Sequence, residues 1–136
     1  MNELEEGAAL RLDFDRLRRA VPQNPGFMPV AVQHADTGEV LLLAYTDEQA
    51  FRLALRTRRL VLWSTSRREL WEKGRTSGES FELVEARVNC EQNSLLYRVR
   101  PCRGGICHTR NRRGAPRNCF YRRIDPDSLA LTNLDP

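Results

Sequence analysis

The amino-acid sequence predicts a small α+β domain of mostly antiparallel strands with two or so helices. Three observations predict it. Short apolar runs, one of them alternating with polar residues, recur along the chain between turn-forming residues. One other stretch carries apolar residues at helical spacing, and a second follows a good N-cap. The chain has 136 residues and shows neither a linker nor an internal repeat, so residues 1–136 are expected to form one domain.

The first helix is expected over residues 9–21, where Leu10, Leu12, Phe14, Leu17 and Val21 are spaced along one face among charges. The Pro- and Gly-containing stretch 22–26 ends it. Met28 to Gln33 and Val40 to Tyr45 read as two strands joined by a hairpin-like turn over 35–39, with Gly38 as the permissive residue. Asp47 is a good N-cap for a second helix over Glu48 to Thr57. Leu60 to Ser64 reads as a strand, and 65–80 as a polar loop. Phe81 to Val88 alternates as a half-buried strand should. Leu95 to Val99 is its expected antiparallel neighbour across a turn at 89–94. A Gly- and Arg-rich loop covers 101–118, Cys119 to Ile124 offers a last short strand, and the polar tail 125–136 is expected to fray.

The apolar fraction of 40% against 29% charged residues places the chain among ordinary soluble domains. The N-terminus has no basic segment followed by an apolar one, and no apolar run reaches the roughly 20 residues of a membrane span. A cytoplasmic protein without membrane partners is therefore expected. In that compartment cysteines serve metals or chemistry more often than disulfides. The net charge is +4, and of the 22 basic residues only Lys73 is a lysine. Arginine binds phosphates and carboxylates with two parallel hydrogen bonds, so such a surface suits a phosphorylated ligand. A genome rich in arginine codons gives the same composition.

Cys90, Cys102, Cys107 and Cys119 fall in the last third of the chain, at a strand end and around an irregular loop. Thiolates gathered in this way suit tetrahedral zinc. All four can close a structural site, or three can bind while the fourth position stays open for water. His108, directly after Cys107, favours the open reading, because a histidine beside an open metal can move protons.

Several segments together carry a family resemblance. They are FMPVAVQH at 27–34, TGEVLLLAY at 37–45, WSTSR at 63–67, LWEKGRTSG at 70–78, CHT at 107–109 and NCFY at 118–121. In these the chain resembles the phosphoribosyl-AMP cyclohydrolases over about 26–124. The resemblance implies a homodimer of histidine biosynthesis that opens the N1–C6 bond of the adenine ring. It implies zinc held by three cysteines drawn from both subunits, at positions matching Cys90, Cys107 and Cys119, with Cys102 outside the pattern. It also implies a zinc-activated water as nucleophile, with His108 the candidate for proton transfer. Arg67, Lys73, Thr76 and Ser77, joined by Arg75, are candidates to hold the substrate's phosphates. Trp63 and Trp71 are expected in a core or an interface.

The chain departs from the family at a second metal site. Members carry Asp-Cys-Asp-x-Asp, whose aspartates bind magnesium. Here Asn89, Glu91 and Asn93 stand at those positions. Magnesium prefers carboxylate oxygen, so this degenerate set is expected to bind it weakly or not at all. Arg75 precedes the Thr-Ser-Gly block, Arg110 follows the Cys-His-Thr motif, and Arg112, Arg113 and Arg117 lie in a lengthened loop. Two other functions therefore compete with the cyclohydrolase: a divergent hydrolase of another cyclic amidine or purine-like nucleotide, and a non-catalytic zinc module with an arginine-rich loop. The loop lacks the interleaved aromatic residues of a single-strand binder, which argues against nucleic acid.

Overall fold

The computed structural model describes residues 12, 14, 26–64, 68–73, 80–102, 105–107 and 109–136. Six strands build the main sheet: β1 (Met28–His34), β2 (Val40–Thr46), β3 (Val61–Ser64), β4 (Glu69–Glu72), β5 (Phe81–Val88) and β6 (Leu95–Pro101). One helix, α1 (Glu48–Thr57), joins β2 to β3. A separate hairpin follows, made of β7 (Arg122–Ile124) and β8 (Leu131–Asn133).

The spatial order of the sheet is β4-β3-β2-β1-β6-β5. Neighbours pair antiparallel except β1 with β6, which run parallel with Val30 opposite Leu95 and Val32 opposite Tyr97. Alternation explains the buried face. Met28, Val30 and Val32 of β1 and Leu95, Tyr97 and Val99 of β6 turn inward, each two residues from the next. The sheet curls until its last strand meets residues leading into β3. Leu60 N–H donates to Phe81 O at 3.1 Å, Leu83 N–H donates to Arg58 O at 2.9 Å, and Arg59 bridges to Glu82. The curl encloses one apolar cluster that includes Leu60, Val61, Leu62, Phe81 and Leu83.

Helix α1 forms where capping and pattern agree. Asp47 Oδ1 accepts from Ala50 N at 2.8 Å, an interaction worth about 1 kcal/mol. Ala50, Phe51 and Ala54 are buried. The helix stops at Arg58, which adopts φ 59° and returns its N–H to Ala54 O at 2.9 Å. The Tyr97 hydroxyl is buried beside Thr46 without a well-formed hydrogen bond, and burial pushes the phenol well above its ordinary range.

The expected fold class is corrected by these elements. The described residues form a mainly-β fold with one helix, not an α+β domain with two. The segment read as a polar loop contains β4, because Leu70 and Trp71 pair opposite Trp63 and Leu62 between the flanking Glu69 and Glu72. The tail expected to fray holds β8, since Asp125 Oδ1 accepts from Asp127 N at 2.9 Å and Ser128 N at 2.8 Å and so turns the chain back. The helix expected over 9–21 lies outside the described residues apart from Leu12 and Phe14. Both pack against the core, with the Phe14 and Phe51 ring centroids 6.3 Å apart. No helix among the described residues is long and apolar enough to cross a membrane.

Candidate metal centre

Cys107 and Cys119 are brought together by a loop that folds back on itself. Cys107 N–H donates to Arg117 O at 2.7 Å, and Arg117 N–H donates to Thr109 O at 3.2 Å. Beyond them Arg110 bridges to Pro116, and Asn111 Oδ1 accepts from Arg113 N and Ala115 N, both at 3.0 Å. The arginine-rich insertion is thus a small hairpin closed by Asn111. Asn118 ties its base to the sheet: its Oδ1 accepts from Ile106 N at 3.4 Å and its Nδ2 donates to Glu39 Oε2 at 3.1 Å. Cys119 N–H then donates to Leu41 O at 3.0 Å, fixing the second cysteine against β2.

The electrostatics follow from this enclosure. Cys107 is 8% exposed, and its Sγ lies 3.0 Å from Thr109 Oγ1 and accepts from Thr109 N at 3.4 Å. Burial pushes the Cys119 thiol up to about 11, and the adjoining Cys107 adds to the rise by its charge and by a thiol–thiol hydrogen bond. Lys73 opposes the rise, which places its charge within reach of Cys119. Lys73 is only 9% exposed, and its backbone N–H donates to Leu60 O at 3.1 Å. Two thiols at adjoining positions, one lined by a hydroxyl and the other near a cation, form a donor set that fits a thiophilic metal such as zinc.

Cys90 and Cys102 are exposed. Cys90 sits in the turn between β5 and β6, and Cys102 follows β6 with its N–H on Ser80 O at 2.9 Å. No group of three or more His, Cys, Asp or Glu able to hold a metal occurs among the described residues. The structure therefore joins Cys107 with Cys119 and leaves Cys90 apart from them. His108, Arg67, Arg75, Thr76 and Ser77 lie outside the described residues.

At the expected second metal site, the Asn89 and Asn93 side-chain oxygens already accept hydrogen bonds. Asn89 Oδ1 accepts from Asn93 N and Ser94 N, both at 2.9 Å. Asn89 Nδ2 donates to Asn93 Oδ1 at 2.5 Å.

A family model for phosphoribosyl-AMP cyclohydrolase matches residues 42–121. The chain belongs to the phosphoribosyl-AMP cyclohydrolase family. It is 41% identical over 130 residues to the phosphoribosyl-AMP cyclohydrolase of Alkalilimnicola ehrlichii, covering 93% of this chain and 87% of that protein. It is 44% identical over 104 residues to that of Archaeoglobus fulgidus, covering 76% of this chain and 91% of that one. It is also 46% identical over 99 residues to the histidine biosynthesis bifunctional protein HisIE of Thermus thermophilus, covering 73% of this chain and 44% of that longer protein. This is a family of hydrolases that act on a cyclic amidine. The matched family region holds all four cysteines and Lys73 and ends just before the β7–β8 hairpin.

The sequence reading gave no role to Gly105, Thr109, Asn118 or Glu39. Thr109 and Asn118 stood inside the recognised motifs, and Gly105 lay in the Gly- and Arg-rich loop without a distinguishing signal. Glu39 also stood inside a recognised segment, but its contact with Asn118 carried no local signal, because the two meet only through the tertiary fold.

Proposed function

We propose that this protein hydrolyses the N1–C6 bond of the adenine ring of phosphoribosyl-AMP, within histidine biosynthesis in the cytoplasm. The observation that carries this reading is the adjoining Cys107 and Cys119 thiols inside the matched family region. Water oxygen adds at C6, the N1–C6 bond breaks with its electron pair going to N1, and a proton must reach N1. Zinc, when bound, supplies a Lewis acid that makes water nucleophilic near neutral pH.

Cys107 and Cys119 would hold the zinc from one subunit, and Cys90 would complete the set from a second copy. Support for the homodimer comes from the exposed Cys90, which stands apart from the other two, and from Leu43 and Tyr45, large apolar residues exposed on β2. His108, next in sequence to Cys107, is assigned the proton traffic. Arg67, Arg75, Thr76 and Ser77 are assigned to the substrate's phosphates, and Lys73, buried near Cys119, is assigned to offset the charge of the thiolates.

The test is direct. Zinc-loaded protein is mixed with phosphoribosyl-AMP and ring opening is followed by ultraviolet absorbance. Turnover that disappears in His108→Ala while zinc stays bound supports the reading. No turnover by a folded, zinc-loaded protein overturns it. In that case the engaged amides at 89 and 93 and the arginine-rich hairpin favour a hydrolase of a different cyclic amidine nucleotide, and a panel of such compounds becomes the next assay.

A further inference from the structure

The turn between β5 and β6 is closed by side chains as well as backbone. Asn89 N–H donates to Ser94 O at 3.2 Å, and Gln92 N–H donates to Asn89 O at 3.0 Å. Gln92 takes a left-handed conformation, φ 54°, and is 3% exposed, so it seats the turn against the body of the protein. Within this frame the orientation of the Asn89 amide is fixed by its neighbours. The atom facing the N–H groups of Asn93 and Ser94 must be the acceptor oxygen. The NH2 group is then left to face Asn93 Oδ1, at 2.5 Å.

This geometry has a specific meaning for a cation. An aspartate at 89 could accept the same two backbone N–H groups. Its second oxygen would then face the oxygen of residue 93, and the two would repel unless they moved apart around a positive group. Between carboxylates a divalent ion is that group. Here an N–H covalently attached to Asn89 occupies that place. Asn89 Oδ1 spends both lone pairs and Asn93 Oδ1 spends one on hydrogen bonds within the turn, and Glu91 alone brings a charge, so the set does not fit magnesium.

We propose that the Asn89–Asn93 amide pair is a built-in substitute for a bridging cation, which holds the Cys90-bearing turn in shape without a divalent metal. The proposal stands on the hydrogen bonds of the turn and survives if the activity proposed above fails.

Its test uses the zinc-loaded full-length protein, with Mn2+ as the paramagnetic probe of a hard-cation site. The wild type is expected to show no saturable Mn2+ binding by electron paramagnetic resonance. The Asn89→Asp/Asn93→Asp double variant is expected to gain it, because the bridging N–H is exchanged for two facing carboxylates. Saturable wild-type binding that is lost in Glu91→Gln would overturn the proposal, as would a folded double variant that gains none.

Hydrogen exchange supplies a second readout. Asn89→Ala removes the acceptor of the Asn93 and Ser94 N–H groups, and their exchange should accelerate roughly tenfold or more. In Asn89→Asp/Asn93→Asp the same amides should be protected only when Mn2+ is added. Unchanged exchange in Asn89→Ala would show that the backbone alone holds the turn, and the proposal would fall.

Discussion

Gly105 passes so close to Arg117 that a Cβ on it would stand 2.5 Å from the Arg117 carbonyl oxygen and 2.5 Å from that of Pro116. Both obstacles are backbone atoms, which cannot swing aside. The same Arg117 carbonyl accepts the Cys107 N–H at 2.7 Å. Gly105→Ala therefore forces apart the two chain segments that carry Cys107 and Cys119. The expected cost is about 1–3 kcal/mol, seen as a lower midpoint in urea, together with reduced zinc content per chain. A Gly105→Ala protein with wild-type stability and full zinc would show that the close approach relaxes freely.

The four cysteines should separate into two classes when each is replaced by serine and bound zinc is measured. Cys107→Ser and Cys119→Ser remove adjoining thiols from an enclosed site and should lose most of the metal. Cys90→Ser should lose it too if a second subunit brings this exposed residue to the centre, and the loss should accompany dissociation of the dimer. Cys102 is exposed, with its backbone tied to Ser80, and Cys102→Ser should keep its zinc. Equal loss in Cys102→Ser and Cys107→Ser would point instead to a closed four-cysteine site.

What the sequence made legible was what local rules decide. Helix α1 has a cap at Asp47 and an apolar face, and its predicted bounds match the structure. A short apolar run marked β1 as a strand, and alternation marked β5. Strand β4 was hidden because four residues bracketed by glutamates carry too little pattern, and only pairing with β3 reveals it. The parallel β1–β6 pair was hidden for another reason: partner choice between distant strands is a property of the whole sheet. The site divided in the same way. Cysteine type and the neighbouring motifs singled out Cys90, Cys107 and Cys119 as candidates, yet the adjacency of Cys107 and Cys119 depends on Gly105, Asn118 and Glu39. The inward placement of Lys73 could not be read from a segment that looks like a solvated loop.

Arg100 grips Asp36 with two hydrogen bonds, Nε to Oδ2 at 2.9 Å and Nη2 to Oδ1 at 2.8 Å. This contact holds the Asp36 carboxyl below its ordinary range, the hydrogen bonds from Arg100 being the largest cause. The sign follows by linkage. A carboxylate with a depressed folded pKa adds stability above its unfolded pKa, and that stability is lost as pH falls through the lower folded value. Arg100→Met should return the Asp36 titration, followed by carboxyl NMR, to the ordinary carboxylate range. The stability gap between wild type and Arg100→Met should be present near neutral pH and close in acid. Because both side chains are solvent-exposed, the gap should be small and should shrink with added salt. A gap that persists unchanged below the folded pKa would assign Arg100 a packing role instead.

Lys73 decides between two roles that its sequence context did not distinguish. A lysine reserved for a substrate phosphate would be expected to present its ammonium to solvent in the free protein. Lys73 is instead 9% exposed, has no ion-pair partner among the described residues, and acts electrostatically on Cys119. A centre of three thiolates around one divalent ion carries net negative charge, and a nearby buried ammonium offsets it. Lys73→Met keeps the length and removes the charge. Zinc affinity, measured at fixed pH by competition with a chromophoric chelator, should fall about 10–100-fold, the range seen when groups supporting metal ligands are removed. If turnover of phosphoribosyl-AMP is restored by saturating zinc, KM should stay near the wild-type value. A Lys73→Met protein with unchanged zinc affinity and a raised KM would return the lysine to the substrate phosphate.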